Sequence, residues 1–199
     1  MVLHVVSTGR QSIEEFVGIS TRIHPYVDTI HIREKHRSAK EIAGIIDRLT
    51  IEQQVPRQKI IVNDRVDVAF AKQTKGVQLA HHSLDVRTVR YMFPKLEIGC
   101  SVHSPDEAVN AERNGASYLI YGHIFETNSK PDLTPHGIVN LETVCETSKL
   151  PVIAIGGIRP DNVKEVLNAG ASGIAVMSGV FEAKDPLRAV QNYYSALHS

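Results

Sequence analysis

Eight short runs rich in β-branched and other apolar residues, at 3–7, 29–33, 59–63, 76–80, 97–102, 118–121, 152–155 and 173–177, alternate with longer amphipathic stretches along the chain. Most of these runs are continuously apolar. A sheet with one wet face would alternate apolar and polar residues, so a continuous run marks a strand buried on both faces, the condition of a parallel sheet covered by helices. The intervening segments 38–49, 105–114 and 162–169 space their apolar residues three and four apart, as helices lying on a sheet do. Ser104-Pro105-Asp106-Glu107 supplies a cap, a first-turn Pro and acidic residues at a helix start, and Gly115 and Gly170 stand where a left-handed residue ends a helix. The sequences Asn114-Gly115-Ala116-Ser117 and Ala169-Gly170-Ala171-Ser172 echo one another just before a strand, as repeated βα units would. The alternation predicts an α/β fold, a single (β/α)₈ barrel of the TIM type over residues 1–199. An open doubly wound sheet is the alternative, but the Gly-rich first βα turn it calls for is absent.

Composition narrows the partners. With 199 residues the chain can bury a core without disulfides or metals. Lys+Arg and Asp+Glu both number 22, and no basic stripe or helix-turn-helix pattern is present, so neither nucleic acid nor an anionic membrane is an expected partner. No apolar run is long enough to cross a bilayer and no basic segment precedes an apolar one at Met1, which predicts a cytoplasmic protein. Cys100 and Cys145 lack metal-ligand spacing and read as reduced thiols. Small molecules are the natural ligands.

In a barrel of this kind chemistry sits at the C-terminal ends of the strands. Those positions carry His31-Ile32-Arg33-Glu34-Lys35, Asn63-Asp64, Ala80-His81-His82-Ser83, Ser101-Val102-His103, Gly122-His123, Glu126-Thr127-Asn128-Ser129-Lys130, Gly156-Gly157 and Met177-Ser178-Gly179. Gly156-Gly157 after the seventh strand leaves the backbone free to approach a ligand, and Met177-Ser178-Gly179 after the eighth adds amides and a hydroxyl, together a phosphate cradle. Among the 10 histidines, His4, His24 and His198 lie outside the expected rim and read as structural or solvent-facing. His81, His82 and His103 follow no metal-ligand spacing, so neither a metal nor a cofactor is expected. His123 at the end of the sixth strand has the chemistry of a proton carrier near neutral pH, or of a satisfied wall histidine.

Taken in order, these segments, with Gly76-Val77-Gln78-Leu79, Tyr121-Gly122-His123-Ile124-Phe125-Glu126-Thr127, Pro151-Val152-Ile153-Ala154-Ile155-Gly156-Gly157-Ile158 and Gly173-Ile174-Ala175-Val176-Met177-Ser178-Gly179, resemble the thiamin phosphate synthase superfamily, and within it the TenI-type thiazole tautomerases. The resemblance covers essentially the whole chain. Two departures from the synthase pattern favour the tautomerase branch. Ser83 stands where the synthase pattern has a metal-binding Asp after the fourth strand, and His123 stands where it has Pro after the sixth. A hydroxyl is a poor ligand for a hard cation facing a diphosphate, which leaves Asp64 nearly alone to hold Mg²⁺.

The resemblance therefore implies an isomerase of thiamin biosynthesis that converts a carboxylated dihydrothiazole ylidene phosphate to its aromatic tautomer, with His123 moving the proton. It implies that Gly156, Gly157, Met177, Ser178 and Gly179 hold the phosphate, that Thr127, Ser129 and Lys130 line the thiazole, and that Arg33 and Lys35 neutralise the substrate carboxylate. Asn63 and Ser101 complete the substrate site by position, and a homodimer is implied. The alternatives are a Mg²⁺-dependent synthase joining a pyrimidine diphosphate to a thiazole phosphate, and a non-catalytic regulatory ligand sensor. The loop 126–137, with Pro131, Pro135 and His136, is long enough for a lid or for a passive surface loop.

Overall fold

The computed structural model describes residues 1–127, 129 and 131–199. Strands β1 (Val2–Val6), β2 (Thr29–Ile32), β3 (Ile60–Asn63), β4 (Gly76–Leu79), β5 (Glu97–Val102), β6 (Tyr118–Gly122), β7 (Val152–Ile155) and β8 (Gly173–Val176) close into one parallel barrel in sequence order. Helices α1 (Ile13–Ile23), α2 (Ala39–Asp47), α3 (Val66–Ala71), α4 (Val86–Met92), α5 (Pro105–Arg113), α6 (Gly137–Thr147) and α7 (Val163–Asn168) connect them, and a short α8 (Ser178–Phe181) and α9 (Pro186–His198) follow β8. The expected (β/α)₈ barrel is therefore the fold, and every strand boundary falls within one residue of its sequence position.

Local chemistry explains where the helices begin and end. Ser12 and Ser38 form reciprocal capping boxes with Glu15 and Glu41, and Ser104 accepts from the Glu107 amide ahead of Pro105. Gly115 at φ +93° and Gly170 at φ +91° end α5 and α7 in the left-handed conformation that glycine adopts without strain.

Two cores result. Outward-facing strand residues such as Leu3, Val5, Ile30, Ile32, Val62, Val77, Leu79, Ile98 and Leu119 pack under the helices in one continuous cluster. The barrel interior is split. Val6, Tyr118, Ile120, Ile153 and Ala175 fill the side made by β1, β6, β7 and β8 with apolar atoms, while the side around β2 to β5 carries His31, Asn63, Gln78 and Ser101. His4 on β1 joins the polar half through its Nδ1, 3.0 Å from His31 Nε2. No helix of the described residues is long and apolar enough to cross a membrane. Cys100 and Cys145 are unpaired, and burial, assisted by Glu107 and by Glu142 and Glu146 respectively, pushes each thiol up to about 11.

Candidate active site

Glycine defines the end of β7. Gly156 at φ +99° and Gly157 at φ +67° hold conformations that side chains rarely adopt, and neither has room for one. A Cβ on Gly156 would lie 2.1 Å from His123 Cβ, and one on Gly157 would lie 2.5 Å from the Glu126 carbonyl oxygen. Beside them β8 runs through Met177 into α8, whose first residue is Ser178 and whose second is the exposed Gly179. The first N–H groups of a helix have no partners within it. A glycine pair next to a short helix's N-terminus, after strands seven and eight, is the arrangement by which barrels of this kind take a phosphate.

Across the mouth lies a polar wall. Asn63 on β3 is in register with Gln78 on β4, and Gln78 Nε2 donates to Ser101 Oγ on β5 at 3.0 Å. Gln78 Oε1 is buried without a hydrogen-bond partner, and the Asn63 side chain faces the His31 ring. That oxygen lies against Gly99, beside the Tyr118 hydroxyl, which also lacks a partner. Gln78 received no role from the sequence. Its position between Asn63 and Ser101 is a consequence of register, which no local pattern encodes.

The loop after β2 carries the cations. Arg33 is half-buried and Lys35 exposed, and among the described residues neither has an ion-pair partner. Between them Glu34 is buried, accepting from Ser7 Oγ at 2.7 Å and Arg37 Nε at 3.0 Å, while the Arg33 amide donates to the same Ser7 hydroxyl at 2.9 Å. This buried carboxylate fixes the loop that presents the two cations. Sequence reasoning passed over Glu34 because charged residues at a rim usually read as solvated.

Asp64, at φ +63°, accepts from Ser83 Oγ through Oδ1, with His82 Nε2 3.3 Å from the same oxygen. Ser83 Oγ in turn accepts from the Ala80 amide at 2.8 Å. The donor set is one carboxylate, already hydrogen-bonded, and one neutral hydroxyl. Among the described residues no group of three or more His, Cys, Asp or Glu could hold a metal. These residues do not fit a protein-held Mg²⁺.

The remaining histidines separate. His81 and His82 are exposed at the rim, and His103 is tied to Glu107, whose Oε2 accepts from its backbone amide at 2.7 Å and lies 3.3 Å from its Nδ1. His123 is 4% exposed. Its Nε2 donates to the Leu133 carbonyl at 3.1 Å, so the ring is engaged with the loop after β6. Thr127 is half-buried and accepts from the Ser129 amide at 3.3 Å, Ser129 itself is exposed, and Lys130 lies outside the described residues.

The family described as thiamine monophosphate synthase (TMP-TENI) matches residues 3–180. The chain is 39% identical over 189 residues to the thiamine-phosphate synthase of Pyrococcus abyssi, covering 94% of this chain and 90% of that protein. It is 38% identical over 176 residues to the thiamine-phosphate synthase of Shouchella clausii, covering 86% and 83% respectively. Among solved structures, thiamine phosphate pyrophosphorylase from Pyrococcus furiosus superposes with a TM-score of 0.85 at 33% identity, covering 99% of this chain and 95% of that one. A 3-hexulose-6-phosphate synthase, at 17% identity and a TM-score of 0.75, shares the fold.

These similarities correct the expectation of a thiazole tautomerase, since these relatives carry the synthase name. The tautomerase expectation leaned on two single-residue departures, Ser83 and His123, against a likeness that extends over nearly the whole chain.

Proposed function

Because the chain belongs to the thiamine monophosphate synthase family, we propose that it is a cytoplasmic transferase of thiamin biosynthesis that joins a pyrimidine diphosphate to a thiazole phosphate. The observation that carries this reading is the 39% identity to a thiamine-phosphate synthase across 94% of the chain. In the reaction the carbon–oxygen bond to the diphosphate breaks with the electron pair leaving on oxygen, and the thiazole nitrogen lone pair forms the new carbon–nitrogen bond. No external oxidant or proton donor is needed for that balance.

The residues divide along the mouth. The backbone of Gly156 and Gly157, with the N-terminus of α8 at Ser178, holds the thiazole phosphate, and Met177, Gly179, Thr127 and Ser129 surround that end. Asn63, Gln78 and Ser101 offer acceptors and a hydroxyl to the pyrimidine. Arg33 and Lys35, held by the Glu34 anchor, face the diphosphate, where a bidentate guanidinium and a mobile ammonium offset charge as it develops on the leaving group. Because one carboxylate and one hydroxyl do not make a magnesium site, no step is assigned to the metal.

Incubating purified protein with both substrates and following thiamin phosphate and pyrophosphate by chromatography tests the reading: stoichiometric appearance of both supports it, and no product over a range of Mg²⁺ concentrations overturns it. A companion variant tests the Asp64–Ser83 geometry. Ser83→Asp places a second carboxylate against Asp64, and its affinity for Mg²⁺, read by calorimetric titration, is expected to exceed the parent's by about tenfold, the free-energy equivalent of roughly one charge-assisted contact. An unchanged affinity would show that positions 64 and 83 do not form a cation site even with two carboxylates.

A further inference from the structure

We infer that His123 is a positioning residue that ties the loop after β6, at Leu133, to the glycine turn after β7, and thereby sets affinity for the phosphorylated thiazole. The inference deepens the proposed function and rests on it for the identity of the ligand. The end of β6 is tied on both sides. Toward β7, the Ile124 amide donates to the Ile155 carbonyl and the Phe125 amide to the Gly156 carbonyl, both at 3.0 Å. Toward the loop, the His136 amide donates to the His123 carbonyl at 2.9 Å and the Gly137 amide to the Ile124 carbonyl at 3.1 Å.

These backbone bonds secure only the far end of the loop, where α6 begins. The imidazole reaches further in, donating from Nε2 to the Leu133 carbonyl at 3.1 Å from a side chain 4% exposed. The carbonyl can only accept, so the neutral ring carries its proton on Nε2. The Leu133 side chain is itself 59% exposed and contributes no apolar anchor of its own. Meanwhile His123 Cα and Cβ sit directly over Gly156, where a Cβ would meet them at 2.6 and 2.1 Å, and Phe125 and Glu126 crowd Gly157 in the same way. The residue that fastens the loop is thus the residue packed on the phosphate cradle, and movement of one displaces the other. The Pro that the synthase pattern has at this position has no side-chain donor and could not make the bond.

The test compares the parent with His123→Phe, which keeps a ring and loses the donor, and His123→Gln, whose side-chain amide keeps a donor at similar reach. In the Phe variant the backbone amides of His136 and Gly137 are expected to exchange with solvent about tenfold faster, the cost of losing one buried hydrogen bond. KM for the thiazole phosphate is expected to rise about tenfold with kcat and the pyrimidine KM nearly unchanged. The Gln variant should restore both readouts. Unchanged exchange in the Phe variant overturns the latch, and so does a loss of kcat at constant KM that Gln fails to rescue, since that pattern assigns the imidazole to chemistry. A parent protein that makes no thiamin phosphate defeats the proposed function alone, and the exchange comparison still decides the latch.

Discussion

Replacing Gly156 with Ala is expected to cost at least a hundredfold in kcat/KM for the thiazole phosphate and to lower stability by about 2–4 kcal/mol, combining overpacking with backbone strain. The residue stands at φ +99°, and the new methyl would lie 2.1 Å from His123 Cβ and 2.6 Å from His123 Cα. Neither neighbour is the free end of a flexible side chain. Relief requires the β6 end to move, and that segment donates the Phe125 amide to the Gly156 carbonyl. Both halves of the proposed phosphate cradle therefore shift together. Gly44, on α2, is the control: a Cβ there meets nothing within 4 Å, so Gly44→Ala should be neutral or slightly stabilising. Urea denaturation and steady-state kinetics on the two variants check the pair. Equal behaviour of the two alanines would show that the tight packing at Gly156 is not needed for phosphate binding.

Much of this architecture was legible because it is written in local chemistry. Short β-branched apolar runs such as 60–62 and Val152–Ile155 mark buried strands, and Ser104-Pro105 and Gly115 bound a helix through their own φ preferences and hydrogen bonds. The placement of Gly156-Gly157 and Ser178 after strands seven and eight followed from counting strands. What lay beyond reach depended on contacts between segments distant in the chain. Glu34 is buried because Ser7 and Arg37 satisfy it, and Gln78 joins Asn63 and Ser101 because of register. His123 illustrates the limit most clearly. Its residue type suited proton transfer, but the direction of its Nε2, toward Leu133, is fixed by a loop whose path no periodicity encodes. The two substitutions that suggested a tautomerase were each chemically sensible, and each weighed a single residue against a likeness spread over the whole barrel.

His4 and His31 carry the second large effect, because they sit in the barrel interior where the charged form of an imidazole is poorly solvated. Burial lowers both: His31 falls to about 3, with Asn63 pulling upward and Lys75 adding to the depression, and His4 falls well below its usual range through burial, then His31 and Lys75. Their rings share one hydrogen bond at 3.0 Å, which a neutral pair satisfies with one donor and one acceptor. A histidine with a depressed folded-state value takes up its proton on unfolding. Its stabilising contribution is thus fully present above the unfolded value near 6.5 and is lost as pH falls from there toward about 3. His31, held at about 3, accounts for about 2 kcal/mol lost between pH 7 and pH 5, and His4 adds a loss of the same sign, against a total that for such domains is typically about 5–15 kcal/mol. The carboxylates with lowered values, Asp67, Asp85, Glu14, Glu41 and Glu112, act only below about 4.5 and leave this window to the histidines. Urea midpoints measured from pH 7.5 to pH 5 should fall steeply, and His31→Gln should flatten that fall by removing one of the protons that His31, His4 and the half-buried His24 take up on unfolding. A midpoint that stays flat across that range would mean that water already solvates the imidazolium, and the interior would then be far more polar than its packing shows.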